Sequence, residues 1–227
     1  MPVQAIFFDL DDTLVDDVAS YPLSIERLCR DFAFDPDRLR AAYDILSPDF
    51  WAAGDLNAIR EELWRRALER CGYDTSLAAA VRDSYLSHRV ESTQALPAVE
   101  EVLGALAGRY RLAVITNGGG DIQPKRLQHL GLDRYFELIL ASTDVNAGKP
   151  DPAIFAHALD RLDLDAASTW HVGDSLASDV LGALNAGLTA VWFNRHARPR
   201  GAAHPAPHHE ITLLMDLPAL LDSSADR

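Results

Sequence analysis

Four consecutive apolar residues, Ala5-Ile6-Phe7-Phe8, run directly into Asp9-Leu10-Asp11-Asp12-Thr13. An uninterrupted apolar run of this length, half of it aromatic, reads as a strand buried on both faces, the kind found inside a parallel sheet. The carboxylates then fall where open α/β sheets place ligands, at the C-terminal end of a buried strand. Stability gives no reason to crowd Asp9, Asp11 and Asp12, because like charges repel and desolvated carboxylates are costly. A bound cation removes that objection. Taken alone, the cluster is equally well read as an acidic turn capping the next helix.

The rest of the chain decides the context of that strand. From Asp16 to about Gln94 the apolar spacing is helical throughout: Ile25, Leu28 and Phe32; Leu39, Ala42, Tyr43 and Leu46; Ile59, Leu63, Ala67 and Cys71. Gly54-Asp55 reads as a stop and N-cap, Gly72 as a stop, and Thr75 or Ser76 as the cap of a further helix to about His88. About four helices and no strand are expected there. After Pro97 helix and strand alternate. Strands are expected at Leu112–Ile115, Leu138–Leu140, Thr169–Val172 and Ala190–Phe193, with helices between them, including Ile154 to Leu162 and Leu176 to Ala186. A short strand near Ile211 and a closing helix from Asp216 follow the Pro-, Ala-, Arg- and His-rich loop 197–209, whose His204, His208 and His209 read as solvated. That rhythm predicts an α/β fold, a doubly wound parallel-sheet (Rossmann-like) core of residues 1–15 and 95–227, interrupted by an all-helical domain over 16–94.

Three later stretches stand, like the first, at the ends of predicted strands. Ile115 leads into Thr116-Asn117-Gly118-Gly119-Gly120, a hydroxyl and flexible residues able to present backbone N–H groups to an anion. Gly148-Lys149-Pro150-Asp151-Pro152 stiffens a loop around one lysine. His171-Val172-Gly173-Asp174-Ser175-Leu176-Ala177-Ser178-Asp179 sets two carboxylates five residues apart. Each alone is as readily a glycine turn, a solvated lysine or a helix cap.

Together and in this order, Asp9-Leu10-Asp11-Asp12-Thr13, Thr116-Asn117-Gly118, Lys149 and Gly173-Asp174 with Asp179 resemble the haloacid dehalogenase-like (HAD) hydrolase superfamily, phosphatase branch. The resemblance extends to the helical block inserted after the first motif, which looks like that family's smaller cap domain. It implies a Mg2+-dependent phosphatase acting on a small phosphorylated metabolite such as a nucleotide or sugar phosphate. It also adds the backbone carbonyl of Asp11 to the metal ligands. The chemistry agrees. Asp9 is the candidate nucleophile, splitting one hard displacement into two easier ones, provided the phosphoryl charge is neutralised. Asp11 is the candidate acid and base, its proton affinity raised by neighbouring Asp9 and Asp174. Asp9 and Asp174 suit Mg2+, a hard oxygen-seeking ion, with Asp179 behind them as a water-mediated ligand or orienting residue. Thr116, the Asn117 amide and Lys149 would hold the phosphoryl oxygens.

Composition bounds the partners. Lys plus Arg number 21 against 34 Asp plus Glu, a net charge of −13, which argues against nucleic acid or an anionic membrane surface. No stretch has the length or apolarity of a membrane span or signal segment, so a cytoplasmic enzyme is expected. Cys29 and Cys71 lack metal-type spacing and read as buried free thiols. Within the superfamily, carbon–halogen hydrolysis needs neither Asp11 nor Asp174, because halide leaves unprotonated. A phosphomutase needs a water-excluding cap; Arg60, Arg65, Arg66, Phe50 and Trp51 form no recognisable mutase signature. A non-catalytic binding protein on this fold is disfavoured by the intact acidic and basic set. Oligomeric state is open, monomer or homodimer.

Overall fold

The computed structural model describes residues 2–47 and 56–225, in two compact units: 1–16 with 95–227, and 17–94. In chain order the elements are β1 (Ala5–Phe8), α1 (Asp17–Phe32), α2 (Pro36–Leu46), α3 (Leu56–Arg70), α4 (Ala78–Glu91), α5 (Val99–Leu106), β2 (Arg111–Thr116), α6 (Gln123–His129), β3 (Leu138–Ala141), α7 (Ser142–Val145), α8 (Pro152–Leu162), β4 (Thr169–Gly173), a π-helical turn (Leu176–Val180) continuing into α9 (Leu181–Asn185), β5 (Thr189–Phe193), β6 (His209–Ile211) and α10 (Asp216–Ala225).

The first unit is a six-stranded, wholly parallel sheet in the order β3-β2-β1-β4-β5-β6. The chain works outward from β1 in one direction and then, from β4, in the other. The point where the order reverses therefore lies between β1 and β4, where doubly wound sheets open a ligand crevice. Period-two alternation sends successive side chains to opposite faces. Ile6, Phe8, Leu112, Val114, Val172 and Phe193 pack with Leu103 of α5, Leu127 of α6 and Leu217 of α10. Phe7, Ala113, Ile115, Leu140 and Trp192 pack with Ile154 and Phe155 of α8 and Ala183 of α9. With both faces covered, β1 is fully buried, which is why its sequence runs apolar without alternation.

The second unit is helical throughout, α1 to α4, around Ile25, Leu28, Leu39, Leu63, Trp64, Leu68 and Val81. The Tyr43 ring stands 4.6 Å from Trp64 and 5.4 Å from Tyr85. Cys29 and Cys71 are buried free thiols, and burial pushes the Cys29 thiol up to about 11. The helix expected to start from Thr75 or Ser76 is instead capped one residue earlier: Asp74 accepts from Ser76 N and opens a 3-10 turn over Thr75–Leu77 ahead of α4. A carboxylate is as good a cap as a hydroxyl, and the preceding glycine turn leaves Asp74 extended. Gly54-Asp55 and Phe50-Trp51 lie outside the described residues. Arg65 and Arg66 are both held by Glu62 of their own helix, at 2.6 and 2.8 Å.

Two of the loop histidines are not simply solvated. His208 Nδ1 accepts from Ala190 N at 2.9 Å, extending the edge of β5, and the His209 ring stacks on Trp170 at 4.9 Å. They dock the strand β6 that closes the sheet. No helix among the described residues is long and apolar enough to cross a membrane.

Candidate active site

The β1 ladder continues one residue past the strand, Asp9 N donating to Val172 O at 2.9 Å. That bond fixes Asp9 at the mouth of the crevice, level with the end of β4. Gly173 ends β4, and Asp174 follows it beside Asp9; Trp192 on β5 donates its indole N–H to Asp174 O at 2.8 Å. Asp179 arrives from the π-helical turn. An α-helix started by Ser175 would carry Asp179 on a tighter spiral; the wider π turn is a recurrent feature of functional sites. Among the described residues, one carboxylate oxygen each of Asp9, Asp174 and Asp179 lie within 4.8 Å of one another.

Lys149 is buried at 5% exposure among these acids, Nζ 2.5 Å from Asp9 Oδ1 and 2.6 Å from Asp179 Oδ1. Asp179 also accepts from Ser175 N at 3.0 Å and meets His171 Nε2 at 3.1 Å. Burial favours a protonated Asp179, yet Lys149 and His171 overcome it and hold the carboxyl well below the usual range. An ionised carboxylate only accepts, so His171 donates through Nε2. Burial keeps that imidazole below its ordinary value. Burial would also lower Lys149, but Asp179 and Asp9 keep it above its ordinary value, hence charged.

The remaining carboxylates are less well served. Asp9 is raised well above its ordinary value by burial, which Lys149 only partly offsets because Asp179 claims the same ammonium. Asp174 is pushed up to about 7 by burial, with Asp179 and Asp12 adding to it. Two adjacent carboxyls that resist ionisation, offering only hard oxygen donors, suit a small divalent cation.

Asn117 explains how a loop lysine is brought inside. Its side-chain amide pairs twice with the backbone of residue 149, Nδ2 to Lys149 O at 2.9 Å and Oδ1 from Lys149 N at 2.8 Å. The Asn117 side chain thus anchors the lysine loop. Thr116, fully buried, ends β2 beside it. The backbone N–H groups of Gly118 and Gly120 are taken by the Ser142 and Thr143 hydroxyls, at 3.0 and 2.9 Å, which removes those two from the anion-binding role expected of the glycine turn. The Asp11 carboxylate is not one of these three. Its carboxylate lies against Arg126 and Gln123 of α6. Asp12 has a left-handed backbone, φ 57°, and lies 3.6 Å from Arg195.

Sequence reasoning passed over His171, Trp192, Gln123 and Arg126. His171 read as one more residue of a buried strand, and Gln123 and Arg126 were not singled out within their helix. Their one signal was a buried-face position: Gln123 and Arg126 share the inward face with Leu127.

A profile of the haloacid dehalogenase-like hydrolases matches residues 3–187 of the chain. The chain belongs to this hydrolase family. Among curated relatives, N-acylneuraminate-9-phosphatase of Mus musculus is 29% identical over 97% of this chain and 94% of its own length. Pyrimidine 5'-nucleotidase YjjG of Escherichia coli K12 is 31% identical, covering 95% of this chain and 96% of its own. Among solved structures, the magnesium-bound HAD-hydrolase YfnB of Bacillus subtilis superposes with a TM-score of 0.80 at 26% identity, covering 98% of this chain and 100% of that one. A 2-haloacid dehalogenase from Pseudomonas syringae gives 0.78 at 33% identity with the same coverage. The HAD fold and hydrolase class follow from these likenesses.

Proposed function

We propose that this HAD hydrolase is a Mg2+-dependent phosphatase that cleaves a small-molecule phosphate monoester, a nucleotide or sugar-type phosphate, through a phosphoryl group carried on Asp9. The observation that carries the reading is the convergence of one carboxylate oxygen each of Asp9, Asp174 and Asp179 within 4.8 Å of one another beside the buried Lys149. Asp9 and Asp174, with the Asp11 carbonyl the family resemblance adds, would hold the cation. When bound, Mg2+ supplies the positive charge that keeps Asp9 ionised and neutralises the phosphoryl oxygens.

The chain's own residues do the rest. Asp9 attacks phosphorus and the ester P–O bond breaks, the departing alkoxide taking a proton from Asp11. Water then attacks phosphorus, giving its proton to Asp11, and the bond to Asp9 breaks to release phosphate. Lys149 and the Thr116 hydroxyl bind the phosphoryl oxygens; removing one such donor costs about a hundredfold to a thousandfold. Asp179, His171 and Asn117 fix Lys149, and Trp192 fixes Asp174 through its backbone.

The likeness to a haloacid dehalogenase supports a second reading, which the same assay separates. Hydrolysis of p-nitrophenyl phosphate that needs Mg2+, with no halide released from 2-chloropropionate, is the expected result; halide release without phosphate hydrolysis would overturn the proposal.

Cation binding is also expected to expel protons, because the ion must ionise carboxyls that otherwise stay protonated. With Asp174 near 7 in the metal-free protein and Asp9 also raised, affinity for Mg2+ should weaken at least about tenfold per unit as pH falls below 7. Titration calorimetry in two buffers of different ionisation enthalpy should find about one proton or more released per ion at pH ~6 and less at pH ~8. Release that does not depend on pH would contradict it.

A further inference from the structure

Two buried polar side chains on α6 have no part in the chemistry so far. Gln123 is 4% exposed and Arg126 1% exposed, burial that is costly unless the groups are paired. Arg126 Nη1 lies 2.5 Å from Asp11 Oδ1 and 2.9 Å from Gln123 Oε1. Gln123 Nε2 lies 3.3 Å from Asp11 Oδ2 and 3.4 Å from Thr116 Oγ1. Their spacing of three residues puts both on one helix face. Gly118 makes room for them: a Cβ there would stand 2.6 Å from Gln123 Nε2. A glycine in the Thr-Asn-Gly turn, two side chains on α6 and the acid after β1 therefore form one assembly.

We propose that Gln123 and Arg126 are positioning residues for Asp11, anchoring it by Oδ1 so that Oδ2 serves the leaving-group oxygen. The inference rests on the phosphatase reading above and assigns residues that reading leaves idle. The two contacts are unequal. A charge-assisted bond at 2.5 Å fixes one oxygen, whereas an amide at 3.3 Å holds the other weakly enough to exchange for substrate. An acid fixed at one oxygen keeps the other in a defined place, which is the geometric requirement for proton transfer. Through Gln123 the acid also shares its support with Thr116.

Leaving groups provide the test. p-Nitrophenolate departs without a proton, while the alkoxide from benzyl phosphate, an ester of similar size, needs one. Steady-state rates with Mg2+ are measured on both esters for the wild type, Arg126→Met, Arg126→Lys, Asp11→Asn and the Arg126→Met/Asp11→Asn double variant. Arg126→Met should lower kcat/KM, which reports only the steps up to loss of the leaving group, about tenfold to a hundredfold on benzyl phosphate, part of the 10²–10⁴ a general acid supplies, with less than about a threefold loss of kcat/KM on p-nitrophenyl phosphate. Arg126→Lys should recover part of the loss. In the Asp11→Asn background, Arg126→Met should cost nothing further on benzyl phosphate. Equal losses of kcat/KM on the two esters, or a full loss persisting without Asp11, would overturn the inference. If Arg126→Met does not fold, Gln123→Met carries the same comparison. A wild type inactive on both esters would overturn the phosphatase reading and this inference with it, so the two failures are distinct.

Discussion

Asp9→Asn is expected to abolish turnover, by about 10⁴-fold or more, with folding intact. The amide keeps the shape of the carboxylate but cannot attack phosphorus. The substitution also removes a buried carboxyl whose charged form burial disfavours. Lys149 is not orphaned by it, because Asp179 remains 2.6 Å from Nζ. Thermal unfolding should therefore shift little, or upward, while single-turnover rates collapse. A variant keeping more than about a tenth of the wild-type rate would remove Asp9 from the nucleophile role.

Gly173→Ala is expected to do the converse, damaging the site through its scaffold. A Cβ at Gly173 would stand 2.3 Å from Asp179 Cγ and 2.5 Å from its Oδ2. Nothing flexible can yield cheaply, because Asp179 is gripped by Lys149, His171 and Ser175 N. Pushing it aside breaks a buried ion pair, which costs about 3–5 kcal/mol. It also unseats Lys149, with a loss in kcat of at least about a hundredfold. Gly104→Ala in α5, where the nearest neighbour of an added Cβ is Tyr135 Oη at 3.9 Å, is the matched control and should be neutral or slightly stabilising. Denaturant unfolding of both variants makes the comparison. A Gly173→Ala protein within about 1 kcal/mol of wild type would show that Asp179 is free to move.

The residues that sequence made legible are those whose chemistry clashes with their surroundings. Asp9 and Asp174 each follow an apolar strand, and a carboxylate there is conspicuous. The parallel sheet was legible for the same reason, since β1 and the body of β2, covered on both faces, run apolar without alternation. What stayed hidden was anything decided by long-range pairing. Asn117 was legible only as part of an anion-binding turn; that its side chain also pairs with the backbone of residue 149, 32 positions away, was not. Arg126 meets Asp11 across 115 positions, from a helix whose polar residues look solvent-facing in one dimension. The π turn that delivers Asp179 has no sequence signature distinct from that of an α-helix. Helix caps are local, and there the error was a single residue, Asp74 in place of Thr75 or Ser76.

Trapping the phosphorylated enzyme tests the central claim most directly. The Mg2+-loaded protein would be quenched in acid during turnover of p-nitrophenyl phosphate, and acyl phosphates reduced with borohydride, which converts a phosphorylated aspartate to homoserine. The account predicts homoserine at position 9 and at no other aspartate, lost when Mg2+ is omitted. Phosphate found on a histidine or serine, or homoserine formed at another aspartate while Asp9 stays intact, would contradict it.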